Sequence, residues 1–344
     1  DSGTPTLLLT PGGWLGGMVS AAGVCCPDGN ELTPWQTGLW GAFLRGLAQA
    51  EPEGLDHNWV SCFGYRPATA EALLRQWVSA ASALEWRPGC ELRDVERRGD
   101  RITALEVHQA GGRWRVEPQL VIDGSDRGDL LAHGLAHRLG WEPRERWNEP
   151  SAPPQAELES NPFFRRQPVQ SPTWVAMGQL EPSAPAPGLS QELPVPFQAA
   201  ASAFGLEKTI TYGRLPGGLV MLNWPLHGND WHSGLERAFA DDPAAETELH
   251  AAMQEHSLAF ARGLEQASGG WLQRGACFPS PDQVQACQRR GEPAPLQGPA
   301  PLALMPYWRE GRRLQALSTV VEGDLLPQGP GARIAPLPQR QGAV

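Results

Sequence analysis

Two glycine-rich turns carry the pattern best suited to hold a ligand. Gly12, Gly13, Gly16 and Gly17 surround Trp14 and Leu15, just after the apolar run Leu7-Leu8-Leu9. The second turn, Gly124-Ser125-Asp126-Arg127-Gly128-Asp129, follows the apolar run Leu120-Val121-Ile122 and Asp123. Backbone without side chains lets a flat or phosphorylated ligand approach closely, and the amides of such loops donate hydrogen bonds to it. Either turn taken alone also reads as an ordinary reversal after a strand. A third cluster, Met305 to Leu314, gathers Arg309, Arg312 and Arg313. Guanidinium groups there suit a carboxylate or a developing negative charge; a solvated helix start or structural ion pairs account for them equally well. His227 and His232 flank Asn229-Asp230-Trp231 and are candidates for a general base, because imidazole as a side-chain type suits that role. A hydrogen-bonded structural role explains either histidine too, so no catalytic residue is assigned.

The elements that position these residues follow from periodicity. Leu7 to Leu9 read as a buried strand. Thr33-Pro34 supply a helix cap and first position, after which Leu39, Phe43 and Leu47 recur at spacing four. A second helix is expected from Thr69 to about Ala83, with Leu73, Leu74, Trp77, Val78 and Ala81 on one face, leading into a strand at Leu84-Glu85-Trp86. Gly99-Asp100 and Gly111-Gly112 divide residues 91–117 into three short segments, an antiparallel meander. Leu120 to Asp123 read as a strand, and Leu130, Leu131, Leu135 and Leu139 as the helix after its turn. Residues 148–200 are dense in proline, which places a domain boundary near 148. Beyond it, Lys208 to Arg214 and Gly218 to Trp224 are expected to pair as strands. A long helix then runs from Asp242-Pro243 through Leu249, Met253, Phe260 and Leu264 to Gly269-Gly270.

Composition excludes several functions. The chain of 344 residues carries a net charge of -10, with Lys208 its only lysine, so broad attachment to nucleic acid or anionic lipid is not expected. No apolar run is long enough to span a membrane, and no signal peptide is read. Fourteen tryptophans argue for a packed core. The six cysteines, at 25, 26, 62, 90, 277 and 287, form no CxxC pair and no ligand set with His227, His232, His250 or His256. No metal site is therefore expected, and a reduced, cytoplasmic protein fits best. Cys25 and Cys26 are adjacent, but neighbours seldom meet disulfide geometry, so a buried structural role is expected for them.

Taken together, the Leu7 to Gly17 stretch, the meander and the Val121 to Leu130 stretch resemble the FAD-dependent oxidoreductases with a glutathione-reductase-like flavin fold. The likeness is to an uncharacterised bacterial branch, in which a strand ends in an IDATGDGDL-like turn and a PYxREsRR element corresponds to Met305 to Leu314. It covers most of residues 7–324 in matching order. The resemblance implies an α/β fold: a Rossmann-like FAD-binding part over 1–148, a second α+β substrate domain over 149–300, and a return segment over 301–344. It also implies FAD as cofactor and an oxidoreductase that takes hydride from a small organic substrate. Trp14, Leu15, Gly16 and Gly17 match the segment along the flavin, Asp123 and Gly124 the strand end, and Gly128 and Asp129 the turn after it. Arg309 and Arg312, with His232, are the substrate-side candidates.

The departures from that pattern are specific. No GxGxxG turn occurs, and Thr10-Pro11 stand where an acidic residue would hold the adenosine ribose. Both closing ends of the flavin fold are expected to be missing, as in an internal portion of a longer flavoprotein or a degenerate relative; Asp1 in place of Met agrees with that. The rival from another class is a noncatalytic carbohydrate-binding protein, in which Trp35, Trp40, Trp231 and Trp271 stack on sugar rings. A cofactor-free remnant of the fold is the third reading. Oligomeric state is left open.

Overall fold

The computed structural model describes residues 3–27, 36–184, 186 and 192–325. Strand β1 (Thr6–Thr10) forms where the leucine run was read and pairs in parallel with β2 (Leu84–Pro88), Leu8 opposite Trp86. The helices α1 (Gly38–Ala50) and α2 (Pro67–Ala80) connect them. In α1 the expected spacing buries Phe43 and Leu47, while Leu39 stays exposed. The Thr33-Pro34 start and Trp35 lie outside the described residues; within them, Thr37 is the residue before the helix. Pro67 sets the first position of α2, where a missing N–H costs nothing.

The meander forms as spaced: β3 (Cys90–Arg98), β4 (Arg101–Gln109) and β5 (Gly112–Val116) are antiparallel neighbours. Gly99 and Gly111 turn the chain with φ of 63° and 76°, a region open to glycine. Val95, Leu105 and Val107 face a small core of their own.

Residues 120–123 are not a strand, and the helix expected after them is one short turn, Leu130 to Ala132. Leu120 and Ile122 are 78% and 85% exposed. An apolar run becomes a strand only beside a ladder partner, and the parallel sheet among the described residues holds only β1 and β2. Three short helices, α3 (Arg144–Trp147), α4 (Gln155–Ser160) and α5 (Phe163–Arg166), follow a two-residue strand β6 (His137–Arg138).

The second sheet is antiparallel in the order β10-β7-β9-β8. Its strands are β7 (Ala176–Leu180), β8 (Gly213–Arg214), β9 (Leu219–Leu222) and β10 (Leu272–Arg274). The pairing of 213–214 with 220–221 agrees with the sequence, but most of the segment before it is helix α6 (Gly205–Thr211). Leu206, Thr209 and Ile210 are buried there at helical spacing, so tertiary packing overrides the strand propensity of Thr209-Ile210-Thr211. Helix α7 (Pro243–Ala267) starts where expected: the Asp242 carboxylate accepts from the N–H groups of Ala244 and Ala245. Helix α8 (Pro281–Arg290) carries a full capping box between Ser280 and Gln283. A last strand, β11 (Arg313–Leu314), pairs with β6.

The largest core joins distant parts of the chain, from Trp14, Cys25 and Leu47 through Tyr65, Met177 and Leu249 to Phe278 and Trp308. A second core lies between the antiparallel sheet, α6 and α7. Cys25, Cys26, Cys90 and Cys287 are buried thiols without disulfides. Among the described residues no helix is long and apolar enough to cross a membrane, and no cluster of His, Cys, Asp and Glu could hold a metal.

Candidate functional site

The first glycine turn is seated on α2 and on the segment before Gly298. The Gly13 carbonyl accepts from Ala294 N–H at 3.0 Å, and a Cβ at Gly13 would lie 2.7 Å from that nitrogen, so no other residue fits there without movement. Trp14 is buried: its indole N–H donates to the Pro295 carbonyl at 2.9 Å and its ring packs on Phe278. Leu15 is buried too, and its N–H donates to Glu71 at 2.6 Å. Gly16, with φ of 93°, lies against Leu74 of α2, where a Cβ would come within 2.5 Å of Cδ1. The loop's inward groups are thereby engaged. Among the described residues no acceptor meets the N–H groups of Gly16, Gly17 and Met18.

The second turn is closed by its own side chains. Asp123 accepts from Ser125 N–H and Oγ through one oxygen and from Leu130 N–H through the other, and Ser125 Oγ accepts from Asp129 N–H. Gly124 has open space where a side chain would be. Gly128, φ 65°, is packed so tightly on the Arg312 carbonyl that a Cβ would be 3.0 Å from it. A Cβ at Gly311 would lie 2.5 Å from Arg127 Cα, and Arg312 N–H donates to the Arg127 carbonyl at 3.0 Å. The arginine-rich element and the second turn are therefore one contact surface.

Asp126 joins the two turns. Its Oδ1 lies 3.7 Å from where a Cβ on Gly17 would be, while Oδ2 is buried without a partner among the described residues. Burial first, and the neighbouring Asp129 second, push the Asp126 carboxyl above the ordinary aspartate range, against the pull of Arg127. Arg127 pairs with Glu246 of α7 at 2.7 Å, donates to the Ala238 carbonyl and stacks over Trp308. Glu246 lies 3.7 Å from His250 Nε2. Burial holds that imidazole below its usual value, with Arg127 adding and Glu246 opposing. Arg312 sits over the Phe239 ring and 3.7 Å from Asp129; burial lowers its guanidinium as well.

Arg309 and His232 form a second cluster. Arg309 donates to the Ser171 carbonyl, to Asn223 at 3.1 Å and to Asp230 at 3.2 Å, and lies over Tyr307. Ser171 Oγ is 2.7 Å from His232 Nδ1. His227 stands apart in an exposed turn with φ of 57°. Arg313 donates to Glu310 and to the Gly140 carbonyl. That carbonyl belongs to the rim of a groove of about 540 Å3, lined by Leu139, Trp141, Phe164, Arg165, Glu236 and Phe239. Phe239 is the ring beneath Arg312, so the groove and the joined turns share a wall. Trp271 is buried, while Trp40 and Trp231 are half-buried and packed edge-on against Phe63 and His256.

Residue reading missed Glu71, Arg75, Asp126, Arg127, Glu246 and His250. Glu71 and Arg75, an acidic-then-basic pair four apart on a helix, carried a usable signal. Arg127 and Glu246 carried none, because 119 positions separate partners that only the fold brings within 2.7 Å.

A fit for a flavin can be tested on these contacts. Three unpaired backbone donors at Gly16, Gly17 and Met18, on a stretch without side chains at its centre, suit the edge of a flat heteroaromatic ligand with carbonyl and ring-nitrogen acceptors. No curated protein and no solved structure matches the chain in comparison. A family model described as FAD dependent oxidoreductase matches residues 1–335. The chain belongs to that family: it is an FAD-dependent oxidoreductase, and FAD is its cofactor.

Proposed function

We propose that this member of the FAD-dependent oxidoreductases holds its flavin along Trp14 to Gly17 and the Asp123 to Asp129 turn, and oxidises a small organic substrate. FAD supplies, when bound, a ring that accepts hydride from the substrate. The chain's own residues bind and orient. Gly16, Gly17 and Met18 offer their N–H groups, and Trp14 and Leu15 form the buried floor that fixes the loop. Asp126 Oδ2 retains a proton to higher pH than an ordinary aspartate, beside the same loop. The arginine-rich element anchors the second turn through Arg312 and borders the groove where the substrate would lie. A groove of about 540 Å3 is within the roughly 300–1,000 Å3 of small-molecule sites. Arg309 and His232, tied through Ser171, complete the substrate side. The division into an incomplete Rossmann-like flavin part over 1–148, a substrate part over 149–300 and a return segment over 301–344 belongs to the same reading, as does a cytoplasmic location.

The approach of Asp126 to the open side of Gly17 carries the proposal: its Oδ1 lies 3.7 Å from where a Cβ on Gly17 would be, which brings two turns more than a hundred residues apart to N–H groups that have no acceptor among the described residues. Titration of the purified chain with FAD, followed by flavin absorbance and fluorescence, tests it. Saturable binding is expected, weakened at least about tenfold in Gly17→Ala, whose methyl group stands beside the donors; tenfold corresponds to the loss of about 1.4 kcal/mol. Absence of any FAD binding, or binding indifferent to this substitution, would sink it.

A further inference from the structure

A turn with four glycines in six residues is costly to order, since glycine loses more backbone freedom on folding than any other residue. Something outside the turn must hold it. The Glu71 carboxylate, wholly buried in the second turn of α2, is placed to do so. Oε2 accepts the Leu15 N–H at 2.6 Å, from the middle of the turn. Oε1 accepts from Arg75 Nε at 3.0 Å and Nη2 at 2.5 Å, and the same Nη2 donates to the carbonyls of Gly13 at 3.3 Å and Ala294 at 3.1 Å. One ion pair thus grips an N–H and a C=O of the turn and the segment behind it. Leu74, between the two charged residues on the same helix face, supplies the apolar seat for Gly16.

Helix packing does not call for this arrangement. A buried ion pair replaced by well-packed apolar residues is often neutral or stabilising, so the carboxylate's distinctive contribution is an acceptor aimed at one backbone donor. The other fully buried glutamate nearby makes the contrast. Glu51 accepts from Arg66 N–H and guanidinium and from Thr69 Oγ1, all at the start of α2, and touches no residue of the turn. Glu51 joins helix to helix; Glu71 joins helix to turn. Arg75 is the charged partner of Glu71 among the described residues, and residues 12–17 and 294–295 carry no ionisable side chain.

We infer that Glu71 and Arg75 are a latch that fixes the Gly12 to Gly17 turn in the shape whose outer N–H groups stay open for the cofactor, which makes Glu71 a positioning residue for flavin binding. The inference rests on the flavin reading of this turn. Two readouts test it on the full chain: amide hydrogen exchange at Leu15, Val19, Ser20 and Ala22, whose N–H groups are bonded to Glu71 or to the Gly16 and Gly17 carbonyls, and FAD affinity. In Glu71→Met, exchange at Leu15, whose N–H loses its acceptor, and at Val19, Ser20 and Ala22, whose N–H groups donate to the Gly16 and Gly17 carbonyls, is expected to rise at least tenfold and FAD affinity to fall by a similar factor, while exchange in α7 rises far less. Glu71→Gln, which retains an acceptor for Leu15, should restore most of both. Arg75→Gln, at a partly exposed position, serves as second variant and should raise exchange at Leu15, Val19, Ser20 and Ala22 far more than in α7. Unaltered exchange at Leu15, Val19, Ser20 and Ala22 in these variants overturns the latch even if FAD still binds. Exchange that rises while the parent chain binds no FAD overturns the flavin role and the reading beneath it.

Discussion

At the scale of single residues, the two buried glutamates show how environment divides one side-chain type between roles. The Glu51 carboxylate gathers the Arg66 guanidinium, the Arg66 N–H and the Thr69 hydroxyl, and although burial opposes them these partners hold it below the usual glutamate range. Glu71 has fewer partners and lies deeper, and burial pushes it up to about 7 despite Arg75 and the Leu15 N–H. The sign of its pH effect follows. Between the ordinary glutamate value of 4.5 and about 7, the folded chain keeps a proton that the unfolded chain has released, so stability falls as pH rises through that window and levels off above it. The fall amounts to at most about 3 kcal/mol. Glu71→Gln cannot ionise, so urea melts from pH 4.5 to 8 should lose this slope while the parent chain retains it. Position 71 falls on the apolar face of α2, and its residue type alone gave no indication of a link to Leu15, fifty-six positions earlier.

Among the elements, those built from local rules were legible in the sequence. The meander turned at its glycines, α1 and α2 followed their apolar spacing, and α7 began at Asp242-Pro243. Each depends on neighbours within a few positions: a turn residue, a cap, a repeat of 3.6. Asp242→Ala removes the acceptor for two first-turn N–H groups and should cost about 1 kcal/mol, measured as a lower midpoint in chemical denaturation. The elements misread were those that need a distant partner. Leu120 to Asp123 has the composition of a strand and no ladder beside it, so Leu120 and Ile122 stay exposed and only Val121 packs, half-buried, on the meander core. Thr209 to Thr211 has strand propensity, yet the second core buries Thr209 and Ile210 on one face of a helix.

Across the whole molecule, one core runs from Trp14 to Trp308 and fixes the glycine turn from behind. Phe278 is wholly buried and its ring lies tilted against Trp14 at 5.7 Å, with Val175 and Met177 nearby at Gly23. Phe278→Ala should therefore do two things at once: lower stability by about 3–5 kcal/mol in denaturation, and release the floor of the turn, seen as faster amide exchange at residues 13–16. A loss of stability without faster exchange there would show that the floor and the core are separable. The sequence alone was enough for the kind of molecule this is, because the glycine spacing and the arginine-rich element are local patterns legible without knowledge of contacts, whereas the strand read before the second turn does not form. The expectations against zinc chemistry and broad nucleic-acid binding rest on composition alone, on scattered cysteines and net negative charge. Only the tertiary structure decided which groups meet: Asp126 beside Gly17, Arg127 on Glu246, Arg309 and His232 on Ser171, Glu71 on Leu15. Those pairings arise from long-range burial, in which each buried charge or backbone donor must find a partner wherever the packed chain places one, and no periodicity encodes that choice.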